Sequence, residues 1–201
     1  MRIIKTLAIL LVISACGGGG GSNAPDISDD PDLGNSSDES CSAYSSNIGN
    51  GSTFNCSIVH DNIDRQFFVY IGSGYDSNSP VLFVLHGYTS RSLWIMNYSG
   101  FQSIADDNGF IVVYPQGTLL PATGQTHWNV GGWTTSSSTD DVGFIDSLIE
   151  FLDDEYSINQ KQIYSTGMSN GGYMSYKLAC DLSSKIAAVA SVTGSMTFET
   201  F

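Results

Sequence analysis

Residues 163–172, IYSTGMSNGG, decide the fold. Ile163 and Tyr164 open an apolar, β-prone run. Gly167-Met168-Ser169-Asn170-Gly171 follows, and the residues after it, to about 182, read as a helix. The pattern is therefore strand, tight turn, helix, with a serine at the tip. Gly167 and Gly171 let the backbone take a strained corner. The hydroxyl then points outward, and the N-terminus of the next helix is aimed at it. Such an arrangement suits a nucleophile that attacks an ester or amide carbonyl.

A second signal lies upstream in Val81-Leu82-Phe83-Val84-Leu85-His86-Gly87-Tyr88. The uninterrupted apolar run predicts a strand buried on both faces. It ends at His86-Gly87, where the chain must turn. The N–H just after this strand and the N–H following the serine form a pair of donors suited to an oxyanion. Here they are the amides of Tyr88 and Asn170. His86 precedes the serine, whereas the proton-transferring histidine of such a site comes last in chain order. It reads as a structural histidine bracing the loop, so His86 and Gly87 support the motif.

Strand signals at 66–71, 81–85, 110–114, 162–166 and 187–192 alternate with helix signals at 101–108, 141–156 and 170–182. Val142, Ile145, Leu148, Ile149 and Leu152 form one apolar stripe on the second helix, capped by Thr139 or Asp140. The alternation predicts an α/β domain with a mostly parallel sheet and helices on both faces.

LHGYTS (85–90), DDVGFIDSLI (140–149) and the run from 163 to 196 together resemble a family of secreted esterases. That family groups polyhydroxybutyrate depolymerases with feruloyl esterases. The resemblance spans about residues 65–196 and is most specific over 140–196. It implies an α/β-hydrolase fold and a serine, aspartate and histidine triad acting on esters. Ser169 matches the nucleophile, and Tyr88 and Asn170 match the oxyanion-hole positions. The other two triad members have no matching position. No histidine lies beyond His127, and the only acids after Ser169 are Asp181 and Glu199. The expectation is the N-terminal part of a longer hydrolase, lacking its C-terminal strands and inactive alone, with the sheet left on an unpaired edge.

The ends and the cysteines bear on location. Arg2 and Lys5 precede a short apolar core, and Ile13-Ser14-Ala15-Cys16 reads as a bacterial lipobox. Residues 1–15 are then a lipoprotein signal, and Cys16 is the lipidation site that anchors the protein to a membrane. The alternative is an ordinary signal peptide and a freely secreted product. Residues 16–51 are rich in Gly, Ser and Asp and read as a flexible acidic linker, with the hydrolase domain at 52–201. Cys41 and Cys56 are close enough to form a disulfide, which leaves Cys180 either partnered elsewhere or a buried thiol.

The formal net charge is −13. Loss of Arg2 and Lys5 with the signal makes it −15, and setting aside six linker acids leaves −9 on the domain. Such a surface repels phosphate and excludes nucleic acid as a partner.

Other residues have plainer roles. Asp140 and Asp141 read as helix-start capping acids rather than a catalytic pair. His127, Trp128 and Trp133 lie in a glycine-rich loop, where the tryptophans either face a sugar or phenolic substrate or pack beneath the loop. His60 reads as exposed. The histidines are scattered and the cysteines lack zinc spacing, so neither a metal nor another cofactor is expected.

The expected activity is an exported serine esterase that acts through an acyl-enzyme. Its substrates would be polyhydroxyalkanoate, feruloyl or acetyl polysaccharide esters, or simple esters. A serine peptidase of the same fold and a non-catalytic binding module without a triad are the alternatives.

Overall fold

The computed structural model describes residues 39–196. The signal segment, the lipidation site Cys16 and most of the linker lie outside them. In chain order the elements are β1 (Glu39–Tyr44), β2 (Ser52–His60), β3 (Ile63–Ile71), β4 (Val81–Leu85), α1 (Ser92–Ser99) and α2 (Phe101–Asn108). Then follow β5 (Ile111–Pro115), a small hairpin of β6 (Thr118–Leu120) and β7 (Gln125–His127), α3 (Asp141–Tyr156), β8 (Ile163–Met168), α4 (Asn170–Asp181) and β9 (Ile186–Val192).

Seven strands form one sheet in the order β1-β2-β3-β5-β4-β8-β9. The half that carries the serine motif, β5-β4-β8-β9, is parallel. The other half is antiparallel, so the sheet is more mixed than its strand and helix signals suggest. The reason is local. Asp61 and Asn62, with φ of 52° and 61°, reverse the chain between β2 and β3. Asp and Asn tolerate this left-handed geometry, which suits a two-residue hairpin.

The period-two alternation of the central strands supplies two cores. Phe67, Val69, Phe83, Leu85 and Val113 pack on one face with Phe144, Leu148 and Leu152 of α3 and Met174 and Leu178 of α4. Phe68, Tyr70, Val84, Val112 and Tyr114 face the opposite way, onto Ile95 and Met96 of α1 and Ala105 of α2. Helices thus cover both faces. Helix α1 is absent from the sequence signals because little marks it. It is short, buries only Ser92, Ile95 and Met96, has no side-chain cap, and ends at Gly100 with φ 71°.

The folded region begins earlier than the boundary at 52. Residues 39–44, placed in the linker by composition, form β1 and pair along their whole length with β2. Five of these six residues are exposed, so no apolar pattern marks the strand. Main-chain pairing and a disulfide hold it instead. Cys41 lies directly opposite Cys56 in the register, and the two are bonded. The link closes a separation of 15 residues. Replacing both cysteines by serine is expected to cost about 3 kcal/mol, read as a lower urea midpoint. Added reductant should lower the parent's midpoint and leave the double variant's unchanged.

Candidate active site

The serine motif forms a sharp corner where β8 meets α4. Ser169 has φ 53° and ψ −115°. A non-glycine residue at such a φ costs about 1–3 kcal/mol and persists only where its surroundings hold it. The Ser169 N–H donates to the Val192 carbonyl at 2.8 Å. The Ser169 carbonyl accepts from the N–H groups of Gly172 (2.8 Å) and Tyr173 (3.0 Å). The flanking glycines are required by close approach. A Cβ on Gly167 would overlap the Gly171 backbone, and one on Gly171 would overlap the carbonyls of Leu85 and His86.

Ser169 is half-buried at the C-terminal edge of the parallel strands, and its hydroxyl has no hydrogen-bond partner among the described residues. The loop after β4 borders it: a Cβ on Gly87 would lie 3.7 Å from the Ser169 Cβ. Among the described residues, the N–H groups of Tyr88 and Asn170 donate to no protein acceptor. That leaves two donors and one hydroxyl at the mouth of a strand–helix corner. The N-terminus of α4, a twelve-residue helix, adds favourable potential for negative charge there.

His86 is fully buried and has no free nitrogen. Its Nδ1–H donates to the Gly87 carbonyl at 2.8 Å. Its Nε2 accepts from the Gly117 N–H at 3.0 Å. Burial pulls its pKa down to about 4, so it stays neutral across the physiological range. The unfolded chain protonates this ring near pH 6.5, well above the folded value. Its contribution is therefore complete above about pH 6.5 and is lost as pH falls toward 4, with a slope of roughly 1.4 kcal/mol for each drop of one in pH. Urea midpoints measured from pH 7 to pH 4 should fall steeply in the parent and less steeply in His86→Gln.

The two tryptophans part company. Trp128 is fully buried, so it is unavailable as a substrate-facing ring, and ordinary packing under the loop is what the fold provides. Trp133 is about half exposed. Its ring meets that of Tyr88 edge-on, with centroids 5.1 Å apart. His127 is buried, with Nδ1 bonded to the Thr118 carbonyl at 3.0 Å. Cys180, on α4, is partly exposed and unpaired among the described residues.

Asp140 caps α3, accepting from the Gly143 N–H at 2.8 Å. Asp141 does something composition does not reveal. It turns inward, pairs with the Arg65 guanidinium at 2.6 Å, and accepts the Asn129 N–H at 2.7 Å. Both ion-pair partners are buried. Residue spacing also misses a cluster of potential metal ligands, because Asp140 is about eighty residues from the adjacent pair His60 and Asp61. The fold brings His60, at 16% side-chain exposure rather than free in solvent, against Asp61 and Asp140. The two carboxylates are exposed, and Asp140 already serves as the helix cap.

Comparison with known proteins gives this geometry relatives. No protein-family model matches the chain. A bifunctional acetylxylan esterase/xylanase of Neocallimastix patriciarum is 33% identical over 134 residues, 67% of this chain and 18% of that protein. Feruloyl esterase D of Neurospora crassa is 28% identical over 76% of this chain and 54% of its own length. Feruloyl esterase B of Thermothelomyces thermophilus is 32% identical over 57% of this chain and 38% of its own. The chain thus spans about half, or less, of the length of the curated relatives it matches.

Among solved structures, an acetyl xylan esterase from Aspergillus awamori superposes with a TM-score of 0.56 at 20% identity, over 66% of this chain and 47% of that one. An S-formylglutathione hydrolase from Agrobacterium tumefaciens gives a TM-score of 0.61 at 16% identity, over 76% and 61%. The structural likeness speaks for the fold, and the sequence likeness for the kin. In sequence the chain is similar to acetylxylan and feruloyl esterases, and it has the α/β-hydrolase fold.

Proposed function

We propose that the whole protein is an exported serine esterase that hydrolyses feruloyl or acetyl esters of a polysaccharide. The observation that carries this is the strained corner at Ser169, bordered by the loop after β4, where the Tyr88 and Asn170 amides donate to no acceptor among the described residues. Ser169 attacks the ester carbonyl, and the amides of Tyr88 and Asn170 receive the negative oxygen as the tetrahedral centre forms. The alcohol leaves, and water then releases the acid from the acyl-serine. Trp133, beside Tyr88, offers an exposed ring on which a phenolic acyl group or a sugar can stack.

The base that takes the Ser169 proton is not one of this sequence's three histidines. His86 uses both ring nitrogens, and neither His60 nor His127 bonds to the serine. The whole protein supplies that imidazole and its orienting carboxylate, and the chain alone is inactive. Export is supported by the Cys41–Cys56 bond, which belongs in an oxidising compartment, and by the lipobox at Cys16, which would anchor the protein by a lipid.

A fluorophosphonate probe on the whole protein should label Ser169, as found by peptide mapping. Methyl ferulate, acetylated xylan, polyhydroxybutyrate and a peptide substrate, assayed side by side, should be ranked with the first two ahead. Absence of labelling, or a preference for the peptide, would overturn the reading.

A further inference from the structure

We propose that Trp128 is a positioning residue that ties the two halves of the oxyanion hole together. The inference rests on the serine-esterase reading above and extends it to a residue that touches no substrate. The Tyr88 and Asn170 amides come from separate elements, the loop after β4 and the start of α4. Two donors stabilise one oxygen only if their spacing is held, because a displacement near 1 Å costs on the order of 100-fold in rate.

The Trp128 backbone grips the second half. The Asn170 side chain is fully buried. Its Oδ1 accepts from the Trp128 N–H at 2.6 Å, and its Nδ2 donates to the Trp128 carbonyl at 3.1 Å. The indole grips the first half. Its Nε1–H donates to the His86 carbonyl at 2.9 Å, and its ring lies against the His86 imidazole, with centroids 5.0 Å apart. His86 in turn donates to the carbonyl of Gly87, the residue before Tyr88.

The segment before Trp128 continues the tie. Thr126 accepts the Thr89 N–H at 2.9 Å through its carbonyl, and its hydroxyl donates to the Ser90 carbonyl at 2.6 Å. Residues 126–128 therefore bond to both sides of the hole. The indole N–H to His86 is the bond of the tie that Trp128 itself makes through its side chain, so it can be removed while the backbone bonds of residue 128 are kept.

The test is to replace Trp128 in the whole protein by phenylalanine and, separately, by benzothienylalanine. The latter keeps the bicyclic shape and loses only the donor. On methyl ferulate, kcat should fall roughly 10- to 100-fold with KM changed less than about twofold. Binding of a trifluoromethyl ketone, which forms a tetrahedral adduct, should weaken in step with kcat/KM, while the thermal midpoint of the benzothienyl variant stays near the parent's. A kcat within about twofold of the parent in the benzothienyl variant overturns the proposal. So does a fall in kcat with no loss of ketone affinity. If Ser169→Ala still hydrolyses the ester, the serine reading fails instead, and the two failures are told apart.

Discussion

Ser169→Ala in the whole protein is expected to lower ester hydrolysis by about 10⁴- to 10⁶-fold, the scale seen when the nucleophile of a catalytic unit is removed. Folding should hardly change. Alanine keeps the same Cβ and the same strained φ of 53°, and the missing hydroxyl has no hydrogen-bond partner among the described residues. Stability should stay within about 0.5 kcal/mol of the parent, as for substitutions that break no packing or bonding. Turnover measured beside a thermal midpoint separates chemistry from folding. Residual activity above about 1% of the parent would mean that another group performs the attack.

The largest stability effect is expected at Asp141. Truncation to alanine leaves Arg65 charged and buried without its partner, at a cost of about 3–5 kcal/mol. It also strands the Asn129 N–H, which donates to the second carboxylate oxygen. The Phe144 ring, 3.9 Å from the guanidinium carbon, does not substitute for a counter-charge. One guanidinium nitrogen, Nη1, already lacks a partner among the described residues. Against a total stability of about 5–15 kcal/mol the loss is a large fraction.

The double change Arg65→Met with Asp141→Leu should be milder than Asp141→Ala, because it removes both charges from the interior. Urea unfolding of the three proteins checks this. A cost below about 1 kcal/mol for Asp141→Ala would show that the pair is solvated in solution. Asn129 neighbours Trp128, so activity in the Asp141 variants should fall further than the folded fraction alone explains.

Part of this molecule is legible in its chain, and the legible part has a common cause. Apolar runs and turn glycines act within a few residues. The run at Val81–Leu85 is short, wholly apolar and ended by His86-Gly87, which reads as a strand covered on both faces, and helix α3 declares itself by its stripe and its cap. The elbow is local in part: Gly167 is required by the Gly171 backbone four residues on, whereas Gly171 is required by the Leu85 and His86 carbonyls that the fold brings against it. Strand β1 is illegible for the opposite reason. Its residues are polar and exposed, and it exists because another strand offers a free edge and Cys56 lies across from Cys41.

The site divides in the same way. The amino-acid order alone determined that Ser169 sits at a strand–helix corner, because strand, turn and helix follow one another within about twenty residues, whereas the approach of the loop after β4 to that serine belongs to the fold. Only the tertiary structure decided that Trp128 is a buried strut rather than a substrate platform. It also decided that Asp141 neutralises Arg65, 76 residues away in the chain, and that His86 has no nitrogen to spare. Each of these depends on which distant group arrives to complete a hydrogen bond or a charge pair, and residue spacing carries no record of that arrival.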